Sequence, residues 1–113
     1  MKRIYVAGPI THGDRMQNVR RAIEAGHALA DAGFAPFIPH LTHYWDEMFP
    51  REYESWMAMD FAFLSVCDGV LRLEGFSPGA DREVAFAKEL GIPVFHAGVV
   101  EAVIHFEQKG GVA

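Results

Sequence analysis

Two carboxylates stand where an α/β protein normally keeps apolar residues. Glu83 shares a helical face with Ala80, Val84, Ala87 and Leu90. Asp60 shares one with Tyr53, Trp56, Met57, Leu64 and Cys67, by the same i, i+3, i+4 spacing. A carboxylate on such a face is costly to bury unless it is hydrogen-bonded or does chemistry. Two that meet at one sheet edge suit glycosyl chemistry, one as nucleophile and the other as acid/base. The ordinary alternative is that the first turn of a helix favours acidic residues, which accounts for Asp81 and Glu83 alike. The helix of Asp60 is apolar nearly all round, through Met59, Phe61, Ala62 and Phe63, which leaves its facing open.

The other polar signals lie at element ends. Ser77-Pro78-Gly79-Ala80 reads as a helix start, with Ser77 as N-cap and Pro78 in the first turn. Such a start either caps the helix or presents a hydroxyl and N–H groups to a phosphate. The loop Gly8-Pro9-Ile10-Thr11-His12-Gly13 matches neither the dinucleotide fingerprint nor the phosphate-binding loop. His40 and His43 form H-x-x-H, and with His12 and Asp46 they are a conceivable metal set. Pro39 disfavours a helix there, so ligand-contacting loop histidines are the preferred reading, with no metal and no cofactor expected. Tyr44 and Trp45 either stack on a base or cover the core. Cys67 reads as a small buried hydrophobe.

These side chains must be positioned by alternating elements. Ile4–Ala7 is an apolar run stopped by Gly8-Pro9, hence a buried strand. Residues 10–17 read as a polar loop, with Asp14 and Gln17 spaced as a capping box. A helix follows with Val19, Ala22, Ile23, Gly26, Leu29 and Ala30 on its inner face and Gly33 as its stop. Phe34–Ile38 is strand two, and Pro36 assigns it to an edge. Residues 40–49 read as an aromatic loop, and Pro50 as the opening of a helix to about Val66. Gly69–Leu73 is strand three. The helix that begins at Ser77-Pro78 runs to Leu90 and is capped by Gly91. Ile92–Phe95 is strand four, Val99–Gln108 a last helix, and Gly110-Gly111 a frayed tail. The order βαβαβαβα predicts a Rossmann-like or flavodoxin-like parallel sheet of four to five strands with helices on both faces. Ligands in such folds bind beyond the carboxyl ends of the strands, where strand order reverses. The loops after strands one and three are therefore the places to look.

Composition narrows the partners. The 113 residues suit one domain, and half of them are hydrophobic, enough for a core. The net charge of -5 argues against long nucleic acids, which demand a basic face. The single cysteine excludes an internal disulfide and a Cys-based zinc pattern. No apolar stretch approaches the roughly 20 residues that span a bilayer, and Met1–Gly8 has too short an apolar run for a signal peptide. A soluble cytoplasmic protein is expected.

Taken in order, Ile4-Tyr5-Val6-Ala7-Gly8-Pro9-Ile10, Met59-Asp60, Cys67-Asp68-Gly69-Val70, Ser77-Pro78-Gly79-Ala80-Asp81-Arg82-Glu83 and Leu90-Gly91-Ile92-Pro93-Val94 resemble the nucleoside 2-deoxyribosyltransferase-like superfamily. The resemblance covers almost the whole chain. It is closest to a branch of small uncharacterised bacterial and phage proteins related to the 2'-deoxynucleoside 5'-monophosphate N-glycosidases. It implies a retaining mechanism in which a glutamate forms a glycosyl-enzyme that water or an acceptor base resolves. Glu83 matches the family nucleophile, Asp60 the aspartate that assists proton transfer, and Tyr5 the tyrosine that positions the nucleophile. Gly8, Pro9 and Ile10 match the loop beside sugar and base. Ser77 matches a serine that contacts the 5'-phosphate in the nucleotide hydrolases, which leans toward nucleotides. Where the family is Gly-rich before the glutamate, this chain has Asp81-Arg82. The implied partner is a small nucleoside or nucleotide, bound with Gly79, His12, His43 and Trp45 nearby, in a homodimer or larger homo-oligomer.

Overall fold

The first strand explains the rest of the architecture. In the computed structural model, which describes residues 1–110 and side chains as far as Glu107, β1 (Arg3–Ala7) is buried from Ile4 onward. A strand without a polar face must be covered on both sides. It pairs in parallel with β2 (Ala35–Phe37) on one flank and β3 (Gly69–Arg72) on the other. β4 (Val94–Phe95) adds to β3, giving the order β2-β1-β3-β4. Pro36 thus lies in an edge strand, as its missing N–H requires. The order reverses between β1 and β3, which opens a crevice beyond their carboxyl ends.

Alternation along β1 sorts the helices. Ile4 and Val6 point to α1 (Arg15–Asp31) and α5 (Val99–Gly110), packing with Ala22, Leu29 and Ala102. Tyr5 and Ala7 point the other way, to α3 (Tyr53–Leu64) and α4 (Pro78–Glu89), packing with Leu64, Ala80 and Ala87. The period of two therefore aims Tyr5 at the two helices that carry Asp60 and Glu83.

Local chemistry sets the helix ends. Asp14 caps α1 by accepting from the Gln17 N–H at 3.1 Å, and Gly33 follows its end at a φ of 92°, a value glycine adopts freely. Ser77 caps α4 by accepting from the Ala80 N–H at 3.1 Å.

Several boundaries differ from the sequence reading. Helix α1 begins at Arg15, so residues 15–17 belong to it. Its buried stripe is Asn18, Val19, Ala22, Gly26 and Leu29, whereas Ile23 and Ala30 lie at the stripe's edge and are exposed. The expected loop over 40–49 is a 3-10 turn (Pro39–Thr42), started by Pro39, followed by the short α2 (His43–Met48). Helix α3 begins at Tyr53 instead of Pro50, because Glu52 keeps an extended backbone (φ -68°, ψ 151°) at its N-cap. It stops at Leu64, and α4 leaves Leu90 exposed. Strands two to four are each shorter than expected. Gly110 ends α5 rather than fraying, while Gly111 lies outside the described residues.

Candidate functional site

A cleft of about 640 Å³ lies above the carboxyl ends of β1 and β3. The loop after β1 and the first turn of α4 form its floor, and α3 forms a wall. The two loops interlock there. A Cβ on Gly8 would sit 2.9 Å from Leu73 Cβ, and one on Gly75 would sit 2.8 Å from the Pro9 ring.

Tyr5 is fully buried beneath the cleft, and its hydroxyl donates to Glu83 Oε2. Glu83 is itself only 5% exposed. Burial first, and then the neighbouring charge of Asp60, pushes the Glu83 carboxyl up to about 8. The Tyr5 hydrogen bond pulls in the other direction, since it favours the carboxylate. Burial also raises Asp60, to about 6. The phenol of Tyr5 is raised far beyond its ordinary value by burial and by the two carboxylates, so it stays a donor. Three titratable groups from β1, α3 and α4 thus meet at the cleft floor. Strongly shifted carboxyls in a cleft are a mark of functional sites.

The first loop is held from two sides. Asn18 Nδ2 donates to the Ile10 and His12 carbonyls at 3.1 and 2.7 Å. The buried His40 contributes an Nε2 bond to the Pro9 carbonyl at 3.1 Å, so that nitrogen carries the proton. Burial lowers this imidazole to about 4 and keeps it neutral. The sequence reading took His40 for a ligand-contacting histidine, but it is buried and supports the loop from behind. Asn18 did not stand out, although a polar residue at the start of an apolar stripe was a readable sign.

Around the mouth stand Asp46, which the sequence reading had set beside His12 only as a conceivable metal ligand, and residues it had not assigned to the site. Asp46 Oδ1 accepts from Trp56 Nε1 at 2.8 Å as well as from Arg51. These donors hold Asp46 below its ordinary range. Arg15, Thr42, Arg51 and Tyr53 share the lining. Arg82 is held by Glu54 at 2.8 and 3.2 Å and lies over the Tyr53 and Phe61 rings. It is therefore not locked to Glu83.

Of the predicted residues, Gly8, Ile10, His12, Asp60, Ser77, Gly79 and Glu83 line the cleft. Tyr5 and Pro9 lie directly beneath it. His43 is buried beside Glu47, 3.1 Å away. Trp45 is half-exposed and meets the edge of Trp56. Neither of these two is part of the lining. Among the described residues no three His, Cys, Asp or Glu side chains gather closely enough to hold a metal ion. No described helix is long and apolar enough to cross a membrane.

Fold and site together define a parallel-sheet α/β protein with a carboxyl pair, Glu83 buried and Asp60 partly so, at its topological switch point. The chain belongs to a family known as a domain of unknown function, DUF7768, whose model matches residues 2–97. No curated protein matches it. Its fold is similar to that of a 2-deoxyribosyltransferase from Bacillus psychrosaccharolyticus, with a TM-score of 0.58 at 22% identity over 81% of this chain and 69% of the other. It is likewise similar to a 2-deoxyribosyltransferase from Leishmania mexicana, with a TM-score of 0.63 at 20% identity over 83% of this chain and 62% of the other. The chain thus spans about two thirds of the length of these enzymes.

Proposed function

We propose that this protein cleaves the N-glycosidic bond of a small nucleoside or nucleoside 5'-monophosphate, by hydrolysis or by transfer to a second base, through a covalent intermediate on Glu83. The observation that carries this reading is the buried Glu83 carboxyl, hydrogen-bonded by Tyr5 and beside Asp60, facing a cleft of small-molecule size. The fold likeness to 2-deoxyribosyltransferases supports it.

In this mechanism a Glu83 oxygen attacks the anomeric carbon as the carbon–nitrogen bond breaks. The bonding pair leaves with the base, which takes a proton from Asp60. Water or an acceptor base then attacks the same carbon from the opposite face, Asp60 removes its proton, and Glu83 departs as carboxylate. Two inversions give net retention. Tyr5 orients Glu83 and stabilises its ionised form. Gly8, Pro9 and Ile10 flank the sugar, and His12 stands near the base. The capped start of α4 at Ser77 and Gly79 offers N–H groups to a 5'-phosphate. His43 and Trp45 act from outside the cleft, as its support. The unit at work is a homodimer or larger, favoured by the exposed Tyr44, Met48 and Phe49; sedimentation tests this.

The test is incubation with a panel of nucleosides and 5'-monophosphates, followed by chromatography for released base. Release by the natural chain and none by a folded Glu83→Ala variant is the expected result. One observation favours a second reading, a binding or sensing module without turnover: a carboxyl raised to about 8 is mostly neutral in the empty site at neutral pH. Ligand binding with no base release, unaltered in Glu83→Gln, would decide for it.

A further inference from the structure

The carboxyl end of β3 carries a largely shielded cation for which the proposed chemistry has no role so far. Arg72 is the last residue of that strand, in register with Ala7, and its side chain is only 11% exposed. Its guanidinium bonds the Leu73 carbonyl, the Gly75 carbonyl at 3.1 Å and Asp81 Oδ1 at 3.0 Å. One side chain thus ties the strand end to the β3–α4 loop and to the first turn of α4. Asp81 lies two residues before Glu83 on that turn. The same loop presses Gly75 against Pro9 and leads into the Ser77 cap.

We propose that Arg72 is a positioning residue for Glu83: it fixes the turn that presents the carboxyl and supplies the cation that favours its ionised form. The inference rests on the reading of Glu83 as the reactive carboxylate. The groups acting on Glu83 are Tyr5 from β1, Asp60 from α3, Arg72 from β3 and Arg82 from its own helix. Tyr5 donates a neutral hydrogen bond, and Asp60 opposes ionisation. Only the two arginines bring positive charge. Arg82 is 42% exposed and paired face to face with Glu54, so solvent and its partner both weaken it at Glu83. Arg72 is far less exposed, and its partner Asp81 is 70% exposed. A charge shielded from solvent acts over distance with less screening. Of the two, Arg72 is accordingly the stronger influence on Glu83. Arginine suits the post because one planar fork reaches two carbonyls and a carboxylate at once, which a lysine ammonium cannot do in the same geometry.

The test reads Glu83 directly and needs no substrate. The side-chain carboxyl carbon of Glu83 is followed by NMR across pH in the full chain, with its signal assigned by loss in Glu83→Gln. In Arg72→Gln the midpoint is expected to rise by about one unit, and in Arg72→Lys by less than half as much. In Asp81→Asn, which frees the guanidinium of its counter-charge, it is expected to fall. An unchanged midpoint in folded Arg72→Gln would overturn the proposal. Should that variant not fold, Asp81→Asn decides, and an unchanged or raised midpoint there overturns it. If a substrate is found, the alkaline limb of kcat/KM moves with the NMR midpoint. If none is found, the glycosidase reading fails while the titration still tests the assignment of Arg72.

Discussion

The floor and the mouth of the cleft use the same side chains to opposite effect. At the floor, Glu83 and Asp60 are pushed up, to about 8 and about 6. At the mouth, Asp46 and Glu54 are pushed down, by the Arg51 N–H and Trp56 in one case and by Arg82 in the other. The difference is solvent and partners. The floor carboxyls lose water and receive one phenol between them, with cations only at a remove. The mouth carboxylates keep water and are each matched with donors. These four carboxyls are thus placed either for cheap ionisation or for contested ionisation, and of the four only Asp60 and Glu83 are raised toward neutral pH.

The sharpest test of that contrast is at Glu83. Glu83→Gln keeps the shape of the floor but removes its ionisation, and base release is expected to fall by about a thousandfold or more. Full activity in this variant would break the comparison. Next is Tyr5→Phe, which removes the donor that favours the Glu83 carboxylate. Base release at neutral pH is expected to fall roughly a hundredfold, and both limbs of kcat/KM to move to higher pH, because Tyr5 holds down both carboxyls. In the natural chain that profile is expected to be a bell, with limbs near about 6 and about 8 that belong to the carboxyl pair as a unit.

Stability should separate the regions by the direction of its pH dependence. Glu83 has a raised carboxyl, so the folded chain holds a proton there that the unfolded chain gives up between about 4.5 and about 8. The stability this proton confers is complete below that window and is lost as pH rises through it. Melting temperature is expected to fall between pH 5 and pH 9, and Glu83→Gln to flatten the fall. Asp46 and Glu54 work the other way: lowered carboxyls favour the fold above their ordinary range and lose that contribution on acidification. The smallest effect is expected for Glu54→Gln. Exposed ion pairs contribute little, so its melting temperature should match the natural chain's within about a degree and base release should be unchanged.

Much of this was legible before the structure. The apolar β1, the Pro36 edge and the caps at Asp14 and Ser77 follow from local rules, and the structure has them. The apolar stripes broken by Glu83 and Asp60 pointed to both residues, but the all-round apolar α3 left the facing of Asp60 open until the structure put both in one cleft. Periodicity does not say which strand residue lies beneath them, and Tyr5 entered only through resemblance to a family. The α2 segment was read as loop because six residues are too few to show a period. The late start of α3 depends on the extended backbone of Glu52, and the anchoring by Asn18 and His40 on contacts across 6 to 31 positions. Arg72 could not be singled out at all, since a strand-end arginine is usually solvated.

The parallel pairing of β1 with β3 bears on how the protein is born. Ile4 meets Gly69, and Tyr5 meets Glu83 across 78 positions of chain. Closing contacts so distant is entropically slow, and parallel sheets share that handicap. During synthesis Tyr5 emerges early and waits, without its partner, until the ribosome has delivered the first turns of α4. The costly step of drying the Glu83 carboxyl then falls at the end of assembly, after the central sheet exists to receive it. A nascent or truncated chain that lacks α4 has neither Glu83 nor the helix that covers Tyr5, so the cleft floor and the completed sheet arrive together.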